Sequence, residues 1–479
     1  MKDGFGKHRG SPADDRRPSR EDATAHLRRL EEVGDLHFFA AAYSSALDYY
    51  EQILREARLA SLPRADATAL LRKCIDANIL LGNLDEAERL IDTTESLLAD
   101  EEPADVPGPR SLTQAIMLGR RSIVLRERGE LRQALDLAKQ AFTILALTDE
   151  HREVARLQVA MGICSVRLGQ IEKAEEFFTD GLSTFRRIGD DIGVANTLNN
   201  LALLYKNRCR WYRAQSLLEN AIELAQKLGT SHLLPMLYLN QGLIQLKVDH
   251  LGEARTSLTR GLRLARSLGD RLQHTRLLLG LGRFELWSGK LARAEQRVLD
   301  GKMLADRNRF RRESTLADEM LGDIQLARGE PEKALFNYQI GMDKSKTMAV
   351  DNDLEGELLQ RIAAVHLKLG RYDEAVGVAQ AAIAVCRKCG ESYEIGFCHR
   401  TLAQAYAAMN DTTQSDHHFR EAIATFQKQK LDHLRCQTIV AFTDTRLATA
   451  GEPQLLLLRR YLMDAQEHGA SAVGDDMLC

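Results

Sequence analysis

The sequence contains little of what would indicate a sheet-rich, secreted or membrane-spanning protein. Its 479 residues include only nine prolines, and aromatic residues make up 6%. Together with an abundance of Ala, Leu, Glu and Arg, this composition favours helices over strands. No run of 18 apolar residues occurs, so no helix is expected to cross a bilayer. The charged N-terminal residues 1–20 lack the apolar stretch of a secretory signal peptide.

Catalytic and metal-binding patterns are scarce as well. The sequence has no Walker A, HExxH or GxSxG match, so we predict a protein without enzymatic activity. Gly280 and Gly282 resemble the start of a dinucleotide fingerprint, but no strand precedes them, and helix packing is the favoured interpretation. Eight cysteines form no small-domain disulfide pattern, which favours the reducing cytoplasm. A zinc site is the alternative interpretation of Cys386, Cys389, Cys398, His399, His433 and Cys436. These residues lack the second closely spaced ligand pair of a known zinc site, so we predict no metal and no cofactor there.

An excess of charge of one sign is also absent overall. There are 65 basic and 68 acidic residues, a formal charge of −3, so nothing draws the whole chain to nucleic acid or to an anionic membrane. Residues 251–312, however, hold 15 Lys/Arg and 6 Asp/Glu, a local excess of +9. Two interpretations of this stretch stay open: a site for an acidic peptide or for nucleic-acid phosphates, and a solvated convex face. Its densest part is the basic patch of Arg307, Arg309, Arg311 and Arg312.

What the sequence does contain is a repeat. The motif small-x-x-Tyr/Leu-x-x-x-Gly-x-x-x-x-Ala recurs nine times, and Ser415 replaces the closing alanine in a tenth copy. Successive copies lie 41, 47, 40, 40, 40, 40, 40, 41 and 40 residues apart. A register kept over so much of the chain predicts a repeat architecture. The closing alanines are Ala46, Ala87, Ala134, Ala174, Ala214, Ala254, Ala294, Ala334 and Ala375.

The spacing has a direct physical interpretation. Each copy is long enough for a helix A, a turn, a helix B and a second turn. The small residues suit the point where two helices cross, and the turn glycine suits a left-handed helix C′ position. One such hairpin cannot bury its apolar stripe alone, so neighbours must stack. We therefore predict an all-α protein of about twenty-one helices, an α-solenoid of ten to eleven hairpins.

The residues Leu198–Gly229, LNNLALLYKNRCRWYRAQSLLENAIELAQKLG, resemble the tetratricopeptide repeat. The 40-residue length resembles a subclass that includes kinesin light chains, spindle-orientation adaptors and sensor regions of bacterial transcription activators. The helix-B endings Leu264–Asp270 and Phe185–Asp191 are most similar to the bacterial activators. The resemblance spans about residues 22–465 and implies a right-handed superhelix. It also implies a scaffold that binds a partner protein or extended peptide in its concave groove.

Two further functions stay open. The chain could be the sensory or regulatory region of a bacterial transcriptional regulator, or it could bind nucleic acid through residues 251–312. The predicted organisation is a disordered basic tail (1–20), an N-terminal repeat pair (21–98), an acidic Pro-rich loop (99–110), the main superhelix (111–430), a degenerate capping hairpin (431–468) and a frayed tail (469–479).

The resemblance places helix A of each repeat on the concave wall. Its arginines suit acidic side chains, while its amides can satisfy a peptide backbone. Asn200 and Asn240 are expected to form a ladder that grips the partner's main chain, with Leu203 and Leu243 as a more apolar groove floor. The alternative is that the asparagines only cross-link neighbouring helices. The predicted groove residues are Arg120, Arg126, Arg156, Arg167, Asn196, Asn199, Asn200, Leu203, Lys206, Asn240, Leu243, Lys247, Arg276, Arg283 and Trp287.

Overall fold

The computed structural model describes residues 20–40, 42–57, 62–99, 109–230, 232–347, 353–389, 392–447 and 451–469. Within these ranges the chain forms 22 α-helices and no strand, so the predicted all-α class is confirmed. The helices are α1 (Arg20–Phe39), α2 (Tyr43–Ala57), α3 (Arg64–Leu81), α4 (Leu84–Ala99), α5 (Pro109–Arg128), α6 (Leu131–Leu145), α7 (His151–Arg167), α8 (Ile171–Arg187), α9 (Asp191–Asn207), α10 (Trp211–Lys227), α11 (Leu234–Lys247), α12 (Leu251–Ser267), α13 (Arg271–Trp287), α14 (Leu291–Arg307), α15 (Arg311–Ala327), α16 (Pro331–Lys346), α17 (Asp353–Lys368), α18 (Tyr372–Cys389), α19 (Tyr393–Ala408), α20 (Thr412–Lys428), α21 (Asp432–Arg446) and α22 (Glu452–Gly469).

The chain divides into two compact units, 1–103 and 104–479. The smaller unit holds the hairpins α1–α2 and α3–α4, and the larger unit holds the nine hairpins from α5–α6 to α21–α22. Most of the predicted acidic loop, residues 100–108, and both predicted tails apart from their helical ends lie outside the described residues. The predicted domain bounds stay predictions. No helix among the described residues is long and apolar enough to span a membrane.

In the larger unit the helices form two layers. Odd-numbered helices contact the odd-numbered helices of the next repeat, from α5–α7 through to α19–α21, as well as their own hairpin partner. Even-numbered helices pack on the outside of this row. Because neighbours converge on the concave side of a curved array, the odd-numbered helices make the inner wall, as predicted for helix A.

Small residues hold the hairpins together at the predicted crossings. The closing alanines from Ala134 to Ala375 are fully buried, and Ser415 is buried in the same position. A Cβ atom added to Gly242 would lie 2.6 Å from Leu258 Cγ, and one added to Gly322 would lie 2.3 Å from Tyr338 Cε1. The helices therefore approach too closely for any larger side chain at these positions.

The turn between helix A and helix B is left-handed in almost every repeat. The predicted glycines have φ between 71° and 90°: Gly82, Gly129, Gly169, Gly289, Gly329 and Gly370. In two consecutive repeats a larger residue takes the same conformation, Cys209 with φ 54° and Asp249 with φ 63°. These two turns lie beside a contact that the repeat pattern does not predict.

That contact joins early and late repeats of the larger unit, and we call it the clasp. The Trp211 indole N–H donates to Gln429 O at 3.0 Å, and Ser392 N–H donates to Asn207 O at 3.2 Å. Trp211 is 3% exposed and packs edge-on against Tyr393, with ring centroids 6.0 Å apart. Trp211 is therefore part of the packing of the clasp.

Candidate binding groove

An asparagine of α11 is hydrogen-bonded to an asparagine of α9. The Asn240 amide on α11 donates to Asn199 Oδ1 on α9 at 2.7 Å, and not to Asn200, the residue expected beside it in the ladder. Asn199 is 4% exposed, so this bond ties two inner helices together. Asn200 is half-buried and makes no hydrogen bond within the described part of the chain.

Unpaired polar groups cluster around this rung. Asn196, Asn200 and Lys206, all on α9, are partly exposed and have no partner among the described residues. Leu203 on α9 and Leu243 on α11 are also partly exposed and lie on the same wall. We call this part of the inner wall, α7 to α11, the open half.

The arginines at the start of the inner wall are occupied. Arg120 on α5 is 4% exposed and forms a buried ion pair with Glu153 on α7. Arg156 pairs with the same carboxylate at 3.0 Å, but its side chain is 47% exposed. Arg120 therefore links two inner helices, whereas Arg156 still offers part of its guanidinium to the groove.

Arg126 and Arg167 form a second link between α5 and α7. Arg126 pairs with Glu127 at 2.7 Å, and Arg167 donates to Arg126 O at 3.1 Å. Both arginines also lie near the A–B turns at the ends of their helices. They connect neighbouring repeats at this edge of the wall rather than line its centre.

Past α11 the inner wall is filled with ion pairs between its own helices. Arg283 on α13 donates to Glu319 on α15 at 3.2 Å, and Arg361 on α17 reaches the same carboxylate at 3.0 Å. Arg361 also donates to Asp323 at 2.9 Å, and Tyr338 donates to Asp323 at 2.7 Å. We call these five residues the ion-pair hub.

Glu319 lies at the centre of the hub and has no exposed surface. Burial raises the pKa of Glu319 to about 8, although the guanidinium groups of Arg361 and Arg283 favour its charged form. Its Oε2 atom has no hydrogen-bond partner among the described residues. The hub therefore joins three inner helices through a carboxylate that is costly to ionise.

Three other predicted groove residues also have partners. Lys247 lies over the Tyr393 ring, 3.2 Å from its centroid, and 3.7 Å from the Glu394 carboxylate. Arg276 donates to Glu313 at 2.6 Å. Trp287 is half-buried against the apolar cluster of α12 and α13. The inner wall from α13 onward, which we call the filled half, is thus largely satisfied from within.

The basic patch lies away from the inner wall. Arg307, Arg309, Arg311 and Arg312 are all exposed where α14 turns into α15, and Arg309 has φ 59°. This turn follows an outer helix, so the patch lies on an edge of the solenoid.

Among the described residues no three His, Cys, Asp or Glu side chains are grouped so that they could hold a metal. Cys386 and Cys398 are buried thiols, and burial raises the pKa of Cys398 above its usual range. His399 instead meets His418, with the two Nδ1 atoms 3.0 Å apart. Burial next to that second imidazole lowers the pKa of His399 to about 4.

Sequence reasoning missed the late members of the clasp and the hub. Tyr393, Glu394 and Gln429 lie in the tenth repeat and after it, and nothing in a 40-residue period connects them with α10 or α11. The hub could have been predicted, because inner positions on successive A helices carry opposite charges. These positions are Glu319, Asp323 and Arg361. Their pairing depends on side-chain reach, which the period does not specify.

The comparisons with known proteins now bear on this geometry. A family model described as Tetratricopeptide repeat matches residues 113–187, 193–267 and 355–428. The chain contains tetratricopeptide repeats in these three segments. The first two matched segments of this repeat protein contain the open half, and the third contains α17 to α20. A search of curated proteins gives no match.

Solved structures resemble the chain at low identity. One is a Rap protein complexed with Competence and Sporulation Factor, 16% identical, with a TM-score of 0.60, covering 77% of this chain and 99% of that one. The apo form of RapI is 15% identical, with a TM-score of 0.48 and coverage of 58% and 97%. A STAND protein with a tetratricopeptide repeat sensor from Pyrococcus horikoshii is 13% identical, with a TM-score of 0.42 and coverage of 89% and 72%. At these identities the likeness concerns the fold alone.

Proposed function

We propose that the protein is a non-enzymatic scaffold that holds an extended segment of a partner protein against the open half. The observation that carries this proposal is that polar side chains of the open half lack partners, whereas those of the filled half have them. Asn196, Asn200 and Lys206 lack partners among the described residues, while the inner helices beyond α11 pair with each other.

The chemistry of the open half suits such a segment. A free asparagine amide can both donate to and accept from a peptide backbone. Lys206 and the half-exposed Arg156 can pair with acidic side chains of the partner. Leu203 and Leu243 give apolar side chains a surface to cover. The fold of the similar Rap protein holds a partner as well, since that structure was solved in complex with Competence and Sporulation Factor.

The experiment starts from capture of partners by the full chain, followed by identification of the bound segment by mass spectrometry. Affinity for that segment is then measured with Asn200→Ala and Asn240→Ala. Asn200→Ala is expected to weaken binding about tenfold, because hydrogen bonds that the partner makes to the amide are lost. Its melting temperature should stay unchanged, since this side chain has no intramolecular bond to lose.

Asn240→Ala is the matched comparison. It removes the bond to Asn199 and is expected to lower stability by about 1 kcal/mol. If both variants bind the partner like the wild type and only stability changes, the asparagines are cross-links between helices and the open half is not the binding site.

The other functions stay separate proposals. A cytoplasmic location is compatible with this groove. A regulatory role in a bacterial transcriptional regulator is compatible with it as well, and an ATPase or DNA-binding module attached to the chain would favour that role. No described feature favours the regulatory role here.

A further inference from the structure

A cavity lies on the edge of the solenoid, outside the inner wall. It has a volume of about 360 Å³ and lies between the end of α10, the start of α11 and the middle of α12. That volume is near the lower end for ligand sites, which usually run from about 300 to 1,000 Å³. Its lining residues are Ala225, Gln226, Gly229, Leu234, Tyr238, Arg260, Arg263 and Leu264.

The cavity combines an apolar interior with cationic walls. Ala225, Leu234 and Leu264 supply aliphatic surface, and none of the lining residues is acidic. The Arg260 guanidinium lies 5.1 Å from the centroid of the Tyr238 ring. Arg263 is exposed and has no partner among the described residues. A ligand whose apolar group enters this cavity is therefore expected to carry negative charge next to that group.

Further arginines continue from the cavity along the same edge. Arg266 lies in the last turn of α12, Arg271 begins α13, and both are exposed. Arg271 also reaches Asn308 at 3.5 Å, which connects this turn to the turn of the basic patch. We call this row, from Arg260 to Arg311, the basic edge. Packed helices lie about 8–10 Å apart, and an extended chain advances about 3.3 Å per residue. In an extended peptide with one side chain in the cavity, carboxylates within roughly six residues of that side chain could thus reach the next arginines.

We propose that the basic edge binds an acidic segment of a partner protein, with one aliphatic side chain of that segment in the cavity and its carboxylates on the arginines. This site is separate from the open half. Nucleic acid fits less well, because sequence-tolerant binding of single strands uses exposed aromatic rings for stacking. The one ring in the cavity belongs to Tyr238, which is 4% exposed and lies beneath Arg260.

The test uses the full chain and fluorescently labelled peptides in a polarisation assay at low salt. One peptide carries a single leucine flanked by glutamates, and a second has serine in place of the leucine. The leucine peptide is expected to bind more tightly, and Arg263→Glu should weaken its binding about tenfold or more, because a charge-assisted pair becomes a repulsion. Arg255→Glu is the matched control, since Arg255 is an exposed arginine of the same helix that does not line the cavity.

A second variant tests the cavity without changing charge. Leu264→Trp should fill the space and abolish the preference for leucine over serine, while circular dichroism checks that the variant is folded. Asn200→Ala should bind the peptide like the wild type, which separates this site from the groove.

Three results would overturn the proposal. They are equal binding of the leucine and serine peptides, an equal loss of binding in Arg255→Glu and Arg263→Glu, and tighter, Arg263-dependent binding of a single-stranded oligodeoxynucleotide of the same length. The last result would assign the edge to nucleic acid instead.

Discussion

The open half and the filled half of the inner wall are built from the same repeat, yet their inward-facing side chains have different partners. On α9, Asn196, Asn200 and Lys206 are left without partners among the described residues. On α13, α15 and α17 the inward-facing layer holds Arg283, Glu319 and Arg361, and both arginines bind the Glu319 carboxylate. Both halves keep the same helix crossings and the same turn geometry.

The difference shows that a repeat position does not by itself determine which partners its side chain has. Opposite charges on successive A helices pair with each other and thereby connect the repeats. The amides and the lysine of the open half have no partner among the described residues, so their polar groups stay unsatisfied on the wall. A binding surface in such a solenoid is therefore found by asking which inner side chains remain unsatisfied, once the pairs between neighbouring helices are known.

The largest effect should come from breaking the hub. Arg361→Met removes one of the two guanidinium groups at the buried Glu319 and the guanidinium partner of the partly exposed Asp323. Removing one member of a buried ion pair typically costs about 3–5 kcal/mol, and we expect a loss of that order in urea denaturation. Partner binding at the open half should survive wherever the variant is folded. A loss below about 1 kcal/mol would mean that the hub contributes little to the stability of the filled half.

The protonation of Glu319 gives the hub a pH dependence. Since burial raises the pKa of Glu319 to about 8, the folded state retains a proton that the unfolded chain releases above a pH of about 4.3. Stability from this group is therefore full at low pH and falls as the pH rises through 8. Glu319→Gln should lack this decline, so its stability relative to the wild type should improve between pH 5 and 8. The exposed Glu176→Gln is the control, and parallel pH profiles of wild type and Glu319→Gln would contradict the expectation.

Overpacking at the crossings should affect both halves alike. Gly242 lies in the open half, and a Cβ atom added to it would lie 2.6 Å from Leu258 Cγ. Gly282 lies in the filled half, and a Cβ atom added to it would lie 2.8 Å from Val298 Cγ2. Gly242→Leu and Gly282→Leu should each lower stability by about 1–3 kcal/mol. Gly252→Leu on α12 serves as the control, because nothing lies within 4 Å of that position. Equal melting temperatures for all three variants would show that the crossings are misplaced.

A smaller difference should separate two turn glycines. Gly169 and Gly289 share a φ of 71°, so alanine at either position carries the same backbone penalty, roughly 1–2 kcal/mol. Only at Gly169 would the new Cβ also meet a backbone carbonyl, that of Lys388 at 2.1 Å. We expect Gly169→Ala to be the less stable variant by about 1 kcal/mol or more in thermal denaturation. Equal losses would indicate that the backbone at Lys388 moves away from the new Cβ atom without cost.

Much of the fold could be predicted because its determinants are local. The spacing of Ala254, Ala294 and Ala334 specifies which helices cross, and a glycine such as Gly329 specifies where a helix ends. Partners across neighbouring inner helices are less regular in sequence. Asn240 pairs with Asn199, 41 residues away, whereas Arg283 pairs with Glu319, 36 residues away.

The reason is geometric. Adjacent helices cross at an angle, and arginine reaches about a turn further than asparagine, so partners need not be 40 residues apart. For this reason the period identified the inner wall but not the correct rung of the ladder. The clasp was beyond sequence reasoning altogether, since Trp211 and Gln429 become neighbours only when the accumulated curvature of five repeats brings them together.

The clasp also changes how the array should fold. In an open solenoid each repeat touches only its neighbours, so contacts stay local and folding can spread from any point. The bond from Trp211 to Gln429 spans 218 residues, and a contact of that range raises the contact order and carries a loop-closure cost. Repeats between these two residues lose independence, because fraying one of them strains the closure that all of them share. This stretch of the chain should therefore melt as a single cooperative block rather than repeat by repeat.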